Sequence, residues 1–505
     1  MRQLTPTDSF GRPVSTRDRA RLRATAKPIA AVLVGVLALG GLAACASTAT
    51  NTSSSLSAAQ AEMLVGSDFY DTSLVHAISI DFDEDDYQEI LAAYSATGDK
   101  DWISATVTID GTVFEDVGLR LKGNSSLRGV GDDATATDDS GDGTVSNDEP
   151  ETLPWLIRLD KYVDDQSYED RTEFVVRGNT TESSLNEAVA LELIGLSGLV
   201  TEKSAAVRLS VNGGDEALRL VMESIDDDLW NTDTFDGDGI TYKADSTGDY
   251  SYRGEDAAEY EDIFDQKTGD DDLAPLTAFL DFINNADDET FSAELGNYLD
   301  VDAFATYLAM EDLTVNADDI DGRGNNSYLR YDSATELMTV VAWDANLSFG
   351  ATNVGAEGLG GGQAGGGQAG GQAGGQAGGD RPELPEGAVP GDAGAAPDGA
   401  GAGPGAAPEG AVADGALPDA AGGQLGGGME GNNILATRFL ADSTFSALTA
   451  TKTATLTASL YDTGDAQAVL DRWTALLQEQ ASDLIDDDTL QSESDAIAAY
   501  LTFDE

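Results

Sequence analysis

Between Asp318 and Gly350 the chain places several groups able to do phosphate chemistry: Asp321, Asn326 five residues later, and Asp344 beside Trp343 after a hairpin-like pair of strands. An acid aimed at a hydroxyl, an amide for a metal and a second acid for Mg²⁺ are what phosphoryl transfer needs from a protein. In so acidic a chain this spacing alone is weak, and Asp318 and Asp319 crowd the same loop as competitors for the role of Asp321. Cations suited to phosphate are few. Lys122 lies in LKGNSS, where Gly123, Asn124 and two serines offer donors for a phosphate cradle. Lys161 follows the strand-like IRLDK, and the two lysines rank equally as phosphate contacts.

The words around these residues resemble a known family. NNSYLRY followed by VAWDANLSFG resembles the signature of the spore coat protein H (CotH) kinase family, and VGLRLKGNSSLRG resembles another of its elements. VHAISIDFDEDDYQEIL, LPWLIRLDKYVDDQSYED and SSLNEAVALELIGLSGL fall in the same order, so the likeness spans about residues 70–350 and resumes near 432. The resemblance implies an atypical protein kinase using ATP with Mg²⁺ or Mn²⁺, with Asp344 and Asn326 on the metal and Asp321, Asp318 or Asp319 at the substrate hydroxyl. It also implies that Glu187, on a helix, pairs with one of the two lysines, that Glu223 lies where the base would be held, and that Lys243 matches a family lysine. Where the family often has a second acid after Trp-Asp, this chain has Asn346.

A separate constellation points to calcium. Asp138, Ser140, Asp142, Thr144, Ser146 and Glu149 fall at positions 1, 3, 5, 7, 9 and 12 of an EF-hand loop, with Gly143 at position 6. The flanks lack helical pattern, so the expectation is a helix-less Ca²⁺ loop inserted between strands. The single histidine, His76, belongs to an opening strand, since one imidazole cannot build a His-rich metal site or a triad.

The positioning elements follow from periodicity. TVTIDGTVFEDVGLRL alternates about an Asp110-Gly111 turn, and Val207 to Met222 reads as a second hairpin turning at Asn212-Gly213-Gly214. Helical spacing marks Ser184–Leu196, Leu276–Asn284 and Val301–Leu313. Strands with intervening helices, without strict alternation, predict an α+β class; the family resemblance makes it a protein-kinase-like fold.

Residues 67–350 form the predicted core. Residues 351–432, rich in Gly, Ala and Pro, carry too little apolar surface to offset ordering and predict a disordered insert. Residues 433–505 return to helical pattern, with Trp473 and Leu477 as packing residues.

The N-terminal 44 residues read as a secretory signal: five basic residues from Arg17 to Lys27, an apolar run from Pro28, then Leu42-Ala43-Ala44-Cys45. That ending resembles a bacterial lipobox, which makes Cys45 the expected lipid attachment point, followed by a flexible tether over 45–66. Cys45 is also the only cysteine, which excludes an intramolecular disulfide. A formal charge of −65, from 92 acidic and 27 basic residues, argues against nucleic-acid binding. The expected location is extracytoplasmic and membrane-anchored, with ATP and exported proteins as partners. The competing reading is a non-catalytic adhesion, envelope or spore-coat assembly protein on the same fold.

Overall fold

The computed structural model describes residue 64, residues 68–123, 125–127, 130, 146–235, 237–245, 249–269, 271–316, 318, 320, 327–351 and 433–502. Among these residues the architecture is α+β, a closed barrel joined to a four-stranded sheet and a helical layer.

Seven strands close the barrel: β1 (His76–Phe82), β2 (Ile103–Ile109), β3 (Thr112–Leu121), β4 (Trp155–Arg158), β5 (Glu173–Val176), β6 (Ser204–Val211) and β7 (Ala217–Met222), in the order β1-β2-β3-β4-β5-β7-β6. Ile103, Ala105, Val107 and Ile109 alternate inward along β2, as a half-buried strand requires. The turn into β3 is built by Asp110 at φ 47° and Gly111 at φ 82°, the paired positive values of a tight hairpin whose twist suits the strands. Antiparallel pairing runs round the barrel except at its seam, where β1 lies parallel to β6 with His76 opposite Val207. Ile80, Val107, Leu119, Ile157, Val207 and Val221 fill the interior and are fully buried.

Helix α1 (Glu84–Thr97) starts at Asp83, whose carboxylate accepts from the Asp85 N–H at 2.9 Å, and ends at left-handed Gly98. Helix α2 (Leu185–Leu196) is buried over most of its circumference, which explains its near-continuous apolar sequence. After α3 (Asp228–Thr234), strands β8 (Gly239–Ala244), β9 (Phe264–Thr268), β10 (Tyr328–Asp332) and β11 (Leu337–Val341) form an antiparallel sheet in the order β11-β10-β8-β9. Helices α4 (Ala274–Asn285), α5 (Asp288–Glu294) and α6 (Val301–Thr314) intervene. The chain resumes with α7 (Ile434–Ala441), α8 (Ser443–Leu456), α9 (Asp465–Gln480) and α10 (Asp487–Ala498).

These last helices complete the second, larger core. α8 packs on α6 and α9 on α2, with Trp473 and Leu477 each about 1% exposed. Trp473 also donates its indole N–H to Glu192 at 2.8 Å, so its one polar atom is satisfied within the packing. His76 is fully buried in β1, with Nδ1 2.8 Å from the Asp110 carboxylate, a strand residue as its sequence position indicated. Among the described residues no helix is long and apolar enough to cross a membrane.

Candidate functional site

One end of the barrel gathers the site. The register Leu121↔Trp155, Trp155↔Val176, Val175↔Met222 and Ser204↔Met222 places the end of β3, the end of β5, the start of β6 and the end of β7 side by side. Lys122, Arg177, Glu202 and Glu223 to Asp226 sit immediately outside those strand ends. Across from them, α2 offers Glu187, β8 offers Lys243, β10 offers Tyr328, and β11 leads into Trp343 and Asp344.

The central contact is a three-residue ion cluster. Arg177 Nε donates to Glu187 Oε2 at 3.0 Å, and its Nη2 lies 2.8 Å from Glu187 Oε1 within the same ion pair. The same Nη2 contacts Asp344 Oδ1. Burial opposes the arginine's charge, but Asp344 and Glu187 more than offset it and hold the proton firmly. Burial raises the Glu187 carboxyl, with Arg177 drawing it back and Asp344 adding to the rise. Glu202, buried nearby, is pushed well up, chiefly by desolvation.

Beside this cluster lies a second set of charges. Lys122 Nζ is 3.8 Å from Asp226 Oδ2, and Tyr328 donates its hydroxyl to Asp226 Oδ1 at 2.8 Å. Burial alone would raise the Asp226 carboxyl, yet Lys122, Lys243 and Lys267 outweigh it and bring it down to about 2. The Lys243 ammonium stands 4.1 Å from the Trp343 ring centre and 5.1 Å from that of Tyr328. Desolvation, and then repulsion from Lys122, lower it to about 8.

Local backbone shapes the loops that meet here. Asp344 adopts φ 55°, ψ 52°, a left-handed conformation unusual for a residue other than glycine and often found where function holds a side chain in place. Gly123 is also left-handed, at φ 98°, and a Cβ there would fall 2.1 Å from Ser126 Oγ. Glycine therefore lets the KGNSS turn fold tightly onto itself. Asn186 donates to the Asn346 carbonyl, and the Asn346 amide reaches Thr180 at 3.3 Å. Asn346 thus braces the Asp344 loop against the β5–α2 connection.

Of the acids considered for the hydroxyl, Asp318 is among the described residues; burial and the charge of Asp344 raise it to about 6. Asp319, Asp321 and Asn326 lie outside the described residues, as do Cys45, Asp138, Ser140, Asp142 and Thr144. Glu149, the last position of the expected calcium loop, is exposed, and its backbone is bridged to Ser146.

Two residues expected at the nucleotide, Lys161 and Glu223, have partners within the protein. Lys161 is exposed and lays its ammonium 4.8 Å from the Trp102 ring centre. Glu223 is buried and its oxygens are occupied by Arg171 at 2.9 Å, the Trp230 indole N–H at 3.0 Å and the Lys203 N–H at 2.9 Å. These bonds knot the end of β7 to its surroundings. Glu187 does pair with a cation, but that cation is Arg177, not Lys122 or Lys161. Sequence reasoning missed Arg177 because it sits in RGNTTESS, which reads as a turn. The one available signal was an arginine in a chain with so few cations.

The donor set suits a hard divalent cation. Asp344 and Asp318 are described acids with oxygen to offer such a cation, and the Asp318 carboxyl is raised first by burial and then by the charge of Asp344. Among the described residues no group of three or more His, Cys, Asp or Glu forms a metal cage.

The end of the barrel thus brings Lys122, Arg177 and Lys243 beside Glu187, Asp226 and Asp344. The CotH kinase protein family model matches residues 119–393, more than half of the chain, and the protein belongs to that family. No curated protein matches the chain.

Proposed function

We propose that this protein is an extracytoplasmic kinase of protein-kinase-like fold, transferring the terminal phosphoryl group of ATP to Ser or Thr hydroxyls of exported proteins or of itself. The observation that carries the reading is the ion cluster of Arg177, Glu187 and Asp344 beside Lys122, Asp226 and Lys243 in a member of a kinase family. In this reading α2 is the helix whose glutamate organises the phosphate-binding cation. Lys122 meets the phosphates and Asp344, with Asn326, holds Mg²⁺ or Mn²⁺. The metal, when bound, neutralises charge on the phosphates. Asp321, or its neighbours Asp318 and Asp319, orients the acceptor hydroxyl and takes up its proton as the new O–P bond forms and ADP departs. Cys45 carries the lipid that keeps the domain at the membrane surface.

A second reading, nucleotide or partner binding without turnover, has one observation in its favour: Arg177 rests on the carboxylate assigned to the metal. Labelled ATP with Mg²⁺ or Mn²⁺ separates the two. The wild type is expected to incorporate phosphate into itself or an added protein, and Asp344→Ala to lose roughly 100-fold or more of that rate. Full incorporation by a folded Asp344→Ala protein would sink the mechanism. Nucleotide binding with no transfer under any metal would establish the second reading.

A further inference from the structure

We propose that Arg177 is an exchangeable latch: it holds Asp344 while no metal is bound, and it turns to the phosphates of ATP when a divalent cation takes that carboxylate. The inference rests on the kinase reading above.

The geometry separates the two ends of the arginine's task. Its contact with Glu187 uses two nitrogen–oxygen pairs at 2.8 and 3.0 Å, and Glu187 is only 3% exposed on a helix packed on both sides. That end is fixed. The contact with Asp344 is a single point through Nη2, the nitrogen that also serves Glu187, and Asp344 is 17% exposed at the mouth of the site. That end can be surrendered. A divalent cation on Asp344 Oδ1 would stand against a guanidinium already touching the same oxygen. Two like charges cannot share one carboxylate oxygen at contact distance in a poorly solvated place.

Arginine cannot resolve the conflict by losing its proton. It must swing while Glu187 holds its root, and the nearest new anion is the phosphate that the metal itself brings. Lys122 stands 3.8 Å from Asp226, Lys243 lies against the Trp343 and Tyr328 rings, and Lys161 lies over Trp102 on the exposed surface. Arg177 is thus the cation tied to the helix glutamate, the place the sequence reading had given to a lysine. Its planar fork also suits two phosphate oxygens better than an ammonium does.

Removing such a latch should have opposite effects on metal and on nucleotide. Mn²⁺ binding to the full-length protein is measured without nucleotide by electron paramagnetic resonance titration, taking the site absent in Asp344→Ala as the one of interest. Mn²⁺·ADP binding is measured by calorimetry. In Arg177→Gln the Mn²⁺-only site is expected to tighten about threefold or more, since a competing cation is gone, while Mn²⁺·ADP weakens about tenfold or more. Arg177→Lys, which keeps the charge and loses the fork, should shift both in the same directions by less and serves if the glutamine variant does not fold. A folded variant whose Mn²⁺ site is unchanged or weaker, or which binds Mn²⁺·ADP normally, overturns the latch alone. Absence of nucleotide binding by the wild type would overturn the kinase reading together with it.

Discussion

Asp318 lies in a half-buried place where burial, and then the charge of Asp344, disfavour its ionisation, and its carboxyl is pushed up to about 6. A carboxyl that binds its proton more tightly when folded contributes stability that is present below its unfolded value near 3.8 and lost as pH rises through about 6. In chelator, the wild type is therefore expected to lose stability relative to Asp318→Asn between about pH 4 and pH 6. The loss is at most ~3 kcal/mol at ~1.4 kcal/mol per unit, and less where water reaches the group. Saturating Mn²⁺ should shrink that gap. Melting temperatures of both proteins across this range are the check, and parallel curves would remove the Asp318–Asp344 coupling. The same pair shows what was legible. Asp344 and Lys122 stand in distinctive words and were found from sequence, whereas Arg177 meets Asp344 across 167 residues and no local pattern announces that meeting.

Helix α2 carries Glu187 on one side and is held on another by α9, so the site depends on a helix that follows residues 351–432. Trp473 is the largest side chain at that contact, and its indole bond to Glu192 fixes the register of α9 on α2. Trp473→Ala should cost ~3–5 kcal/mol through lost burial and the cavity it leaves. Because the loss falls on the helix that positions Glu187, Mn²⁺·ADP affinity should fall as well. Urea unfolding and calorimetry test both effects; a destabilised variant with unaltered nucleotide affinity would mean that α9 does not set the position of α2. Hairpins and helices of this kind were readable because their signals are local: Asp110-Gly111 and Asn212-Gly213 take the positive φ values their residue types favour. Closure of the barrel was not readable. β1 and β6 are joined by backbone pairing between strands more than 120 residues apart, and alternation in either strand says which face is buried but not which strand lies beside it.

At the scale of the whole molecule charge dominates, and the proposed lipid attachment must work against it. Removing the first 44 residues, which hold seven basic and two acidic side chains, leaves a chain of about −70. So strong a charge repels an anionic membrane surface, and a stable location there needs an anchor. Each buried lipid methylene contributes about 0.8 kcal/mol, so acyl chains on Cys45 can overcome that repulsion. Cys45→Ser is accordingly expected to move the protein from the membrane fraction to the soluble one, as judged by fractionation and blotting. Persistence in the membrane fraction would refute lipid attachment at that residue.

The barrel's first strand is also braced from the far end of the chain. The Val75 N–H donates to Gln480 Oε1 at 2.9 Å, 405 residues apart, and the Gln480 amide returns a bond to the Ser73 carbonyl at 3.0 Å. At translation speeds of about 5–20 residues per second, the ribosome takes roughly 20–80 s to cover that interval. Throughout it the opening strand is made but its clasp is not. Closure of this clasp is therefore timed by the synthesis of α9, long after the strand it holds has been made.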